Sequence, residues 1–156
     1  MWAKTDVILN NANNLDIALS LDCGQAFRWV QREDGCWQGV ANGKYLKLRQ
    51  EGTKVTFYNV TQEEFDSVWR VYFDLDRDYG EIIASYTDEN LVSACKAFPG
   101  IRILKQDEWE AICSFIISAN NNIPRIKKIF PKLIEESELY DLNKKRDSIY
   151  KVSAPI

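Results

Sequence analysis

The sequence predicts an α+β fold, an antiparallel sheet packed by helices and followed by a helical segment, on three observations. Short apolar stretches separated by turn residues fill the first sixty positions, the apolar spacing changes from 2 to about 3.6 residues at Thr61, and helical patterning takes over from Asp107 onward.

The predicted strands are Leu15–Leu21, Ala26–Gln31, Cys36–Ala41, Tyr45–Gln50 and Val55–Val60. Glu33-Asp34-Gly35, Asn42-Gly43 and Glu51-Gly52 supply the turns between them. Alternation in Tyr45-Leu46-Lys47-Leu48-Arg49 and in Val55-Thr56-Phe57-Tyr58 implies a meander with one face to water.

From Thr61, Phe65, Val68, Trp69, Tyr72 and Phe73 follow at helical spacing, with Thr61 and Glu64 set as a capping box. Tyr79–Tyr86 and Asp88–Phe98 are the next helices, the second with Leu91, Val92, Cys95 and Phe98 on one face before Pro99-Gly100 stops it. These helices are expected to cover the dry face of the sheet. Gly100–Leu104 is an extended link, and Asp107 with Glu110 opens a helix whose Trp109, Ile112, Cys113, Ile116 and Ile117 are expected to face inward. The link places a domain boundary near residues 100 to 106, giving units 1–103 and 104–156. A further helix starts at Ile123, where Pro131 is expected to end or kink it at about Phe130. Beyond Ser137 the pattern is polar and weakly periodic.

Bulk properties narrow the chemistry. At 156 residues, 46% of them hydrophobic and with five Trp, seven Tyr and seven Phe, the chain has material for a core in one domain or one plus part of another. It contains no histidine, which excludes Ser/His/Asp and Cys/His schemes and the usual zinc-finger ligand sets. Cys23, Cys36, Cys95 and Cys113 form no C-x-x-C pair, so buried free thiols in a reducing cytosol are expected, with no metal and no cofactor. The start, Met1-Trp2-Ala3-Lys4-Thr5-Asp6, has no hydrophobic signal region, and no apolar run reaches about 18 residues, so a soluble intracellular protein without a membrane partner is expected. Net charge is −3, yet residues 124 to 151 carry eight basic against five acidic side chains. That basic tail suits phosphate contacts or a solvated helix face equally.

Two constellations carry the functional reading. In the first, Asn120, Asn121 and Asn122 interrupt a helical stretch and are followed by Ile123-Pro124-Arg125-Ile126. Asn amides compete for backbone hydrogen bonds and Pro suits a first helical turn, so the segment reads as helix, polar wedge and new helix N-terminus. The second is Leu21-Asp22-Cys23-Gly24-Gln25-Ala26-Phe27-Arg28-Trp29, where a glycine ahead of an aromatic strand lets the backbone approach something flat. An ordinary turn glycine, and Phe27 and Trp29 as sheet core, fit that segment as well.

Ser114 to Ile126 and Leu21 to Trp29 together resemble the damage-probing segment and the Gly-Gln-x-Phe-Arg-Trp element of 8-oxoguanine DNA glycosylases of the helix-hairpin-helix superfamily. Weaker similarity in Tyr72-Phe73-Asp74-Leu75-Asp76 and Gly100 to Asp107 extends it over residues 15 to 127, in segments expected to be scaffold. The resemblance implies a TATA-binding-protein-like N-terminal domain followed by the first helices of an all-α glycosylase domain. It implies base-excision repair of oxidised purines, with double-stranded DNA holding 8-oxoguanine opposite cytosine as partner of a monomer in the nucleoid or nucleus. It makes Gly24 and Phe27 substrate-binding, the Gly24 carbonyl accepting from the lesion's N7 hydrogen where guanine offers only a lone pair. It makes Asn120 the plug that fills the gap left by base flipping, Asn121 and Asn122 the residues shaping its turn, and Arg125 the reader of the orphan cytosine.

The resemblance stops short of the catalytic residues. The family sets its lysine nucleophile in a Leu-Pro-Gly-Val-Gly-x-Lys hairpin with an aspartate some twenty residues later. Phe98-Pro99-Gly100-Ile101 echoes the hairpin, but Arg102 stands where the second glycine is needed. Lys144, Lys145 and Lys151 lie in the polar tail, where a charged ammonium is a poor nucleophile. No catalytic residue is therefore assigned. The chain is expected to be a truncated part, inactive alone, of a glycosylase and abasic-site lyase, unless a partner chain supplies the lysine. The other readings are a non-catalytic DNA-binding or protein-interaction module and a plain small-ligand domain.

Overall fold

The structure, a computed structural model, describes residues 5–136. Among them one five-stranded sheet is formed by β1 (Thr5–Leu9), β2 (Trp29–Gln31), β3 (Trp37–Ala41), β4 (Lys44–Glu51) and β5 (Lys54–Val60). The order is β1-β5-β4-β3-β2 with every pairing antiparallel. Asn42 and Gly43, with φ of 48° and 72°, make the tight reversal that sets Ala41 opposite Lys44. Both residues need positive φ there, which Asn and Gly supply at least cost.

The sequence missed β1. It pairs with β5 through Val7 opposite Phe57 and occupies one sheet edge, and its Thr-Asp-Val-Ile-Leu run carries no alternation to announce it.

The predicted strand Leu15–Leu21 is instead a helix, α1 (Ile17–Asp22). Apolar residues at 15, 17, 19 and 21 imitate a period of two. The cap decides otherwise: Asp16 Oδ1 accepts from the Leu19 N–H at 2.8 Å. Ile17, Ser20 and Leu21 are buried, at the i, i+3, i+4 spacing of a helix face. Strand β2 is likewise shorter than the predicted Ala26–Gln31, because residues 24 to 28 form a loop held by its own side chains.

One helical run covers the dry face of the sheet: α2 (Gln62–Glu64), a π-helical turn (Phe65–Trp69) and α3 (Arg70–Tyr72). Thr61 Oγ1 accepts from the Glu64 N–H at 3.1 Å and starts it. Phe65, Trp69, Tyr72 and Phe73 are buried against Phe57, Leu46, Leu48 and Trp29. The Phe57 and Phe65 rings meet edge to face at 4.9 Å, and Trp29 Nε1 donates to the Tyr72 hydroxyl at 2.8 Å. Each of these large side chains stabilises the fold by about 1.5–3 kcal/mol relative to exposure.

Two helices expected over the sheet do not lie there. α4 (Tyr79–Ala84) and α5 (Glu89–Ala97) contain no buried residue, and Leu91 and Phe98 are exposed. The dry face is already filled by α1 and by the run from Gln62 to Tyr72.

α6 (Glu108–Ser118) departs in part from the expected inward set: Ile117 lies inward as expected and Cys113 is half-buried, but the other three face out. Trp109, Ile112, Phe115 and Ile116 are exposed, Phe115 by 77%, while Ser114 is buried and Ile117 packs beside Phe27. Arg28 fixes Glu110 inward, so Glu110, Ser114 and Ile117, at helical spacing, become the inner stripe.

α7 (Ile123–Glu136) does not end at Pro131 but continues through it, at the loss of one intrahelical hydrogen bond. All four thiols are free, but Cys36 alone is buried and Cys23 is exposed, against the expectation of four buried thiols. The cluster Lys144-Lys145-Arg146, Lys151 and the polar stretch beyond Ser137 lie outside the described residues.

Candidate functional site

The loop between α1 and β2 is clamped from one side by amides. Gln25 Nε2 donates to the Arg102 carbonyl at 2.9 Å and Gln25 Oε1 accepts from the Leu104 N–H at 3.1 Å. Gln106 Nε2 donates to the Gln25 carbonyl at 2.6 Å. The side chain of Gln25 thus pairs with the extended link as a neighbouring strand would. Sequence reasoning gave Gln25 no role, and no local pattern signals a partner nearly eighty residues away.

The link is itself pinned. Arg102, the residue that spoiled the hairpin echo, is buried and donates to the carbonyls of Asn14 at 3.0 Å, Asp74 at 2.7 Å and Arg77 at 3.2 Å. Its guanidinium lies over the Tyr79 ring at 4.4 Å. Gly100 has φ of 87°, and a Cβ there would stand 2.7 Å from the Asp16 nitrogen.

Gly24 sits on this clamped loop with φ of 90°, a conformation natural to glycine. A Cβ added to it would meet Ile123 Cδ1 at 3.2 Å. Phe27 is buried against Ile126, with Ile117 beside them. It therefore supports the loop, and Ile126 is covered by Phe27. Lys127 donates to Asp22 Oδ1. Ile123, Ile126 and Lys127, at i, i+3 and i+4, form the stripe of α7 that faces the loop.

The Asn run joins α6 to α7, and its three side chains are used differently. Asn120 is exposed and left-handed, with φ of 67°. Asn121 is half-buried, its Nδ2 donating to the Ile117 carbonyl at 2.8 Å and so capping the end of α6. Asn122 caps α7: its Oδ1 accepts from the Arg125 N–H at 3.0 Å. Arg125 is exposed on the first turn of α7. The two constellations read from the sequence are thereby brought onto one helix, with the Gly24 loop against its side and the wedge at its N-terminus.

Arg28, next to Phe27, ties the loop to α6. Its Nη1 lies 3.0 Å from Glu110 Oε2, with both side chains largely buried. Burial pushes the Glu110 carboxyl above its ordinary range, and the adjacent guanidinium opposes that shift. The pair faces inward and supports the site without entering it. Among the described residues no group of three or more His, Cys, Asp or Glu is placed to hold a metal ion, and no helix is long and apolar enough to cross a membrane.

Residues 7–112 match the protein family described as 8-oxoguanine DNA glycosylase, N-terminal domain. The N-glycosylase/DNA lyase of Saccharomyces cerevisiae is 31% identical over 137 residues, which cover 76% of this chain and 35% of that protein. Among solved structures, the Clostridium acetobutylicum 8-oxoguanine glycosylase/lyase in complex with double-stranded DNA containing cytosine opposite 8-oxoG is 44% identical, with a TM-score of 0.79 over 86% of this chain and 47% of that one. MBOgg1, solved with a low-affinity DNA ligand, is 39% identical with a TM-score of 0.80, covering 87% of this chain and 47% of that one. The chain thus spans about a third to a half of the length of the relatives it matches.

Proposed function

The chain belongs to the 8-oxoguanine DNA glycosylase N-terminal domain family, and on that premise we propose that it is the recognition part of an 8-oxoguanine DNA N-glycosylase and abasic-site lyase. The observation that carries the reading is the contact of α7 with the Gly24 loop, Ile123 against Gly24 and Ile126 against Phe27, which sets that loop beside the exposed Asn120. Gly24 would present its carbonyl to the N7 hydrogen of the flipped lesion, with Phe27 backing the loop. Guanine would oppose that carbonyl with a lone pair, a discrimination of roughly 1–3 kcal/mol, or about tenfold to hundredfold. Asn120 would fill the vacated stack, Asn121 and Asn122 hold its turn, and Arg125 donate to the orphan cytosine. Residues 1–103 would form the sheet domain and 104–156 the opening of the helical domain. The protein would act inside the cell, in the nucleoid or nucleus, as a monomer on double-stranded DNA. The lysine and aspartate of the chemistry are assigned to no residue of these 156.

The test is binding of this chain to a duplex with 8-oxoguanine opposite cytosine and to the undamaged duplex, followed by borohydride trapping on the first. Preference for the lesion by about tenfold without a covalent adduct is expected. Equal, salt-dependent affinities would mean a generic DNA-binding module, and an adduct would mean that a lysine within these residues is activated.

A further inference from the structure

Resting on that reading, we propose that Asp22 and Lys127 are a positioning pair that fixes the Gly24 loop against α7 and so couples lesion reading to orphan-cytosine reading. Of the three α7 residues that face the loop, Ile123 and Ile126 make apolar, non-directional contacts that tolerate sliding along the helix. The ion pair between Lys127 Nζ and Asp22 Oδ1 is directional and sets the register. Gln25 holds the loop from the opposite side, so the backbone of residues 22 to 25 is gripped at both ends.

The placement of the charges argues against a role in helix stability. Asp22 is the last residue of α1, where its charge opposes the dipole of that helix, and Lys127, the fifth residue of α7, lies past the first turn and gains nothing from its own helix dipole. The side chains are 52% and 35% exposed, and a pair so exposed contributes little to global stability. Its effect therefore appears in where the Gly24 carbonyl stands relative to Asn120 and Arg125. Charge reversal would suit the α1 dipole and keep the attraction.

The experiment compares the 156-residue chain with Asp22→Asn, Lys127→Met and the double reversal Asp22→Lys with Lys127→Asp. Two readouts are affinity for 8-oxoguanine·cytosine and guanine·cytosine duplexes, and hydrogen exchange of residues 22 to 27 without DNA. Each single variant is expected to lower the lesion-to-guanine affinity ratio by about two- to fivefold and to speed exchange in the loop, with Tm nearly unchanged, and the reversal to restore both. Unchanged exchange in the single variants would overturn the pair's role. Equal loss of affinity for both duplexes would overturn it too, identifying Lys127 as a phosphate contact. A wild-type chain without lesion preference would instead fail the glycosylase reading, while the exchange data decide the pair on their own.

Discussion

Ile123 Cδ1 lies 3.2 Å from the point that a Cβ on Gly24 would occupy, so the glycine makes room for a helix of the same chain as well as for an approaching base. Gly24→Ala is expected to cost about 1–2 kcal/mol through its φ of 90°, measured by chemical denaturation. Adding Ile123→Ala should recover only the steric part. Full recovery would mean that backbone strain at Gly24 is absent.

Arg28→Met removes the cation beside a buried carboxylate and should destabilise the chain by about 3 kcal/mol near neutral pH. The pH dependence has a definite sign. Burial already raises the Glu110 carboxyl above 4.5, and losing Arg28 raises it further. The folded chain then holds a proton that the unfolded chain releases, so the contribution is fully present below 4.5 and is lost as pH rises through the folded value. Denaturation midpoints should show a deficit that widens as pH rises above 4.5, and a deficit independent of pH would contradict this account.

Gln25→Leu leaves the Arg102 carbonyl and the Leu104 N–H without their partner. A loss of about 1–3 kcal/mol is expected, together with faster hydrogen exchange at Leu104. Unaltered protection of that amide would show that the clamp is dispensable.

The outward stripe of α6 offers a different measurement. Phe115 and Trp109 are 77% and 61% exposed, so Phe115→Ser with Trp109→Ser should reduce binding of a hydrophobic dye and leave Tm almost unchanged. A large fall in Tm would mean that these side chains are buried in solution.

The sheet from β3 to β5 and the helical run from Gln62 were legible because alternation, an Asn-Gly turn and a Thr cap agree locally. Capping beat patterning at α1, where Asp16 turned a period-two sequence into a helix. The inner face of α6 was read correctly at Ile117 but not at Trp109, Ile112 and Ile116, because the most apolar stripe is not the one that Arg28 draws inward. At the candidate site, the glycine, the asparagine run and Arg125 stood out as letters, whereas the Gln25 clamp and the Asp22–Lys127 pair did not. Both depend on partners far along the chain, and a long-range pair between common polar residues leaves no periodic trace.

Those distant partners order events in time. Gln25 meets Arg102 across 77 positions and Leu104 across 79, and Arg102 reaches Asn14 across 88. The β3, β4 and β5 strands pair with immediate neighbours and close small loops, which is fast. The loop around Gly24 closes only once the chain to Gln106 is present, at a larger entropic cost. During synthesis the meander therefore has all its partners before the loop has anything to hold it, so the loop is expected to close after the strands have paired.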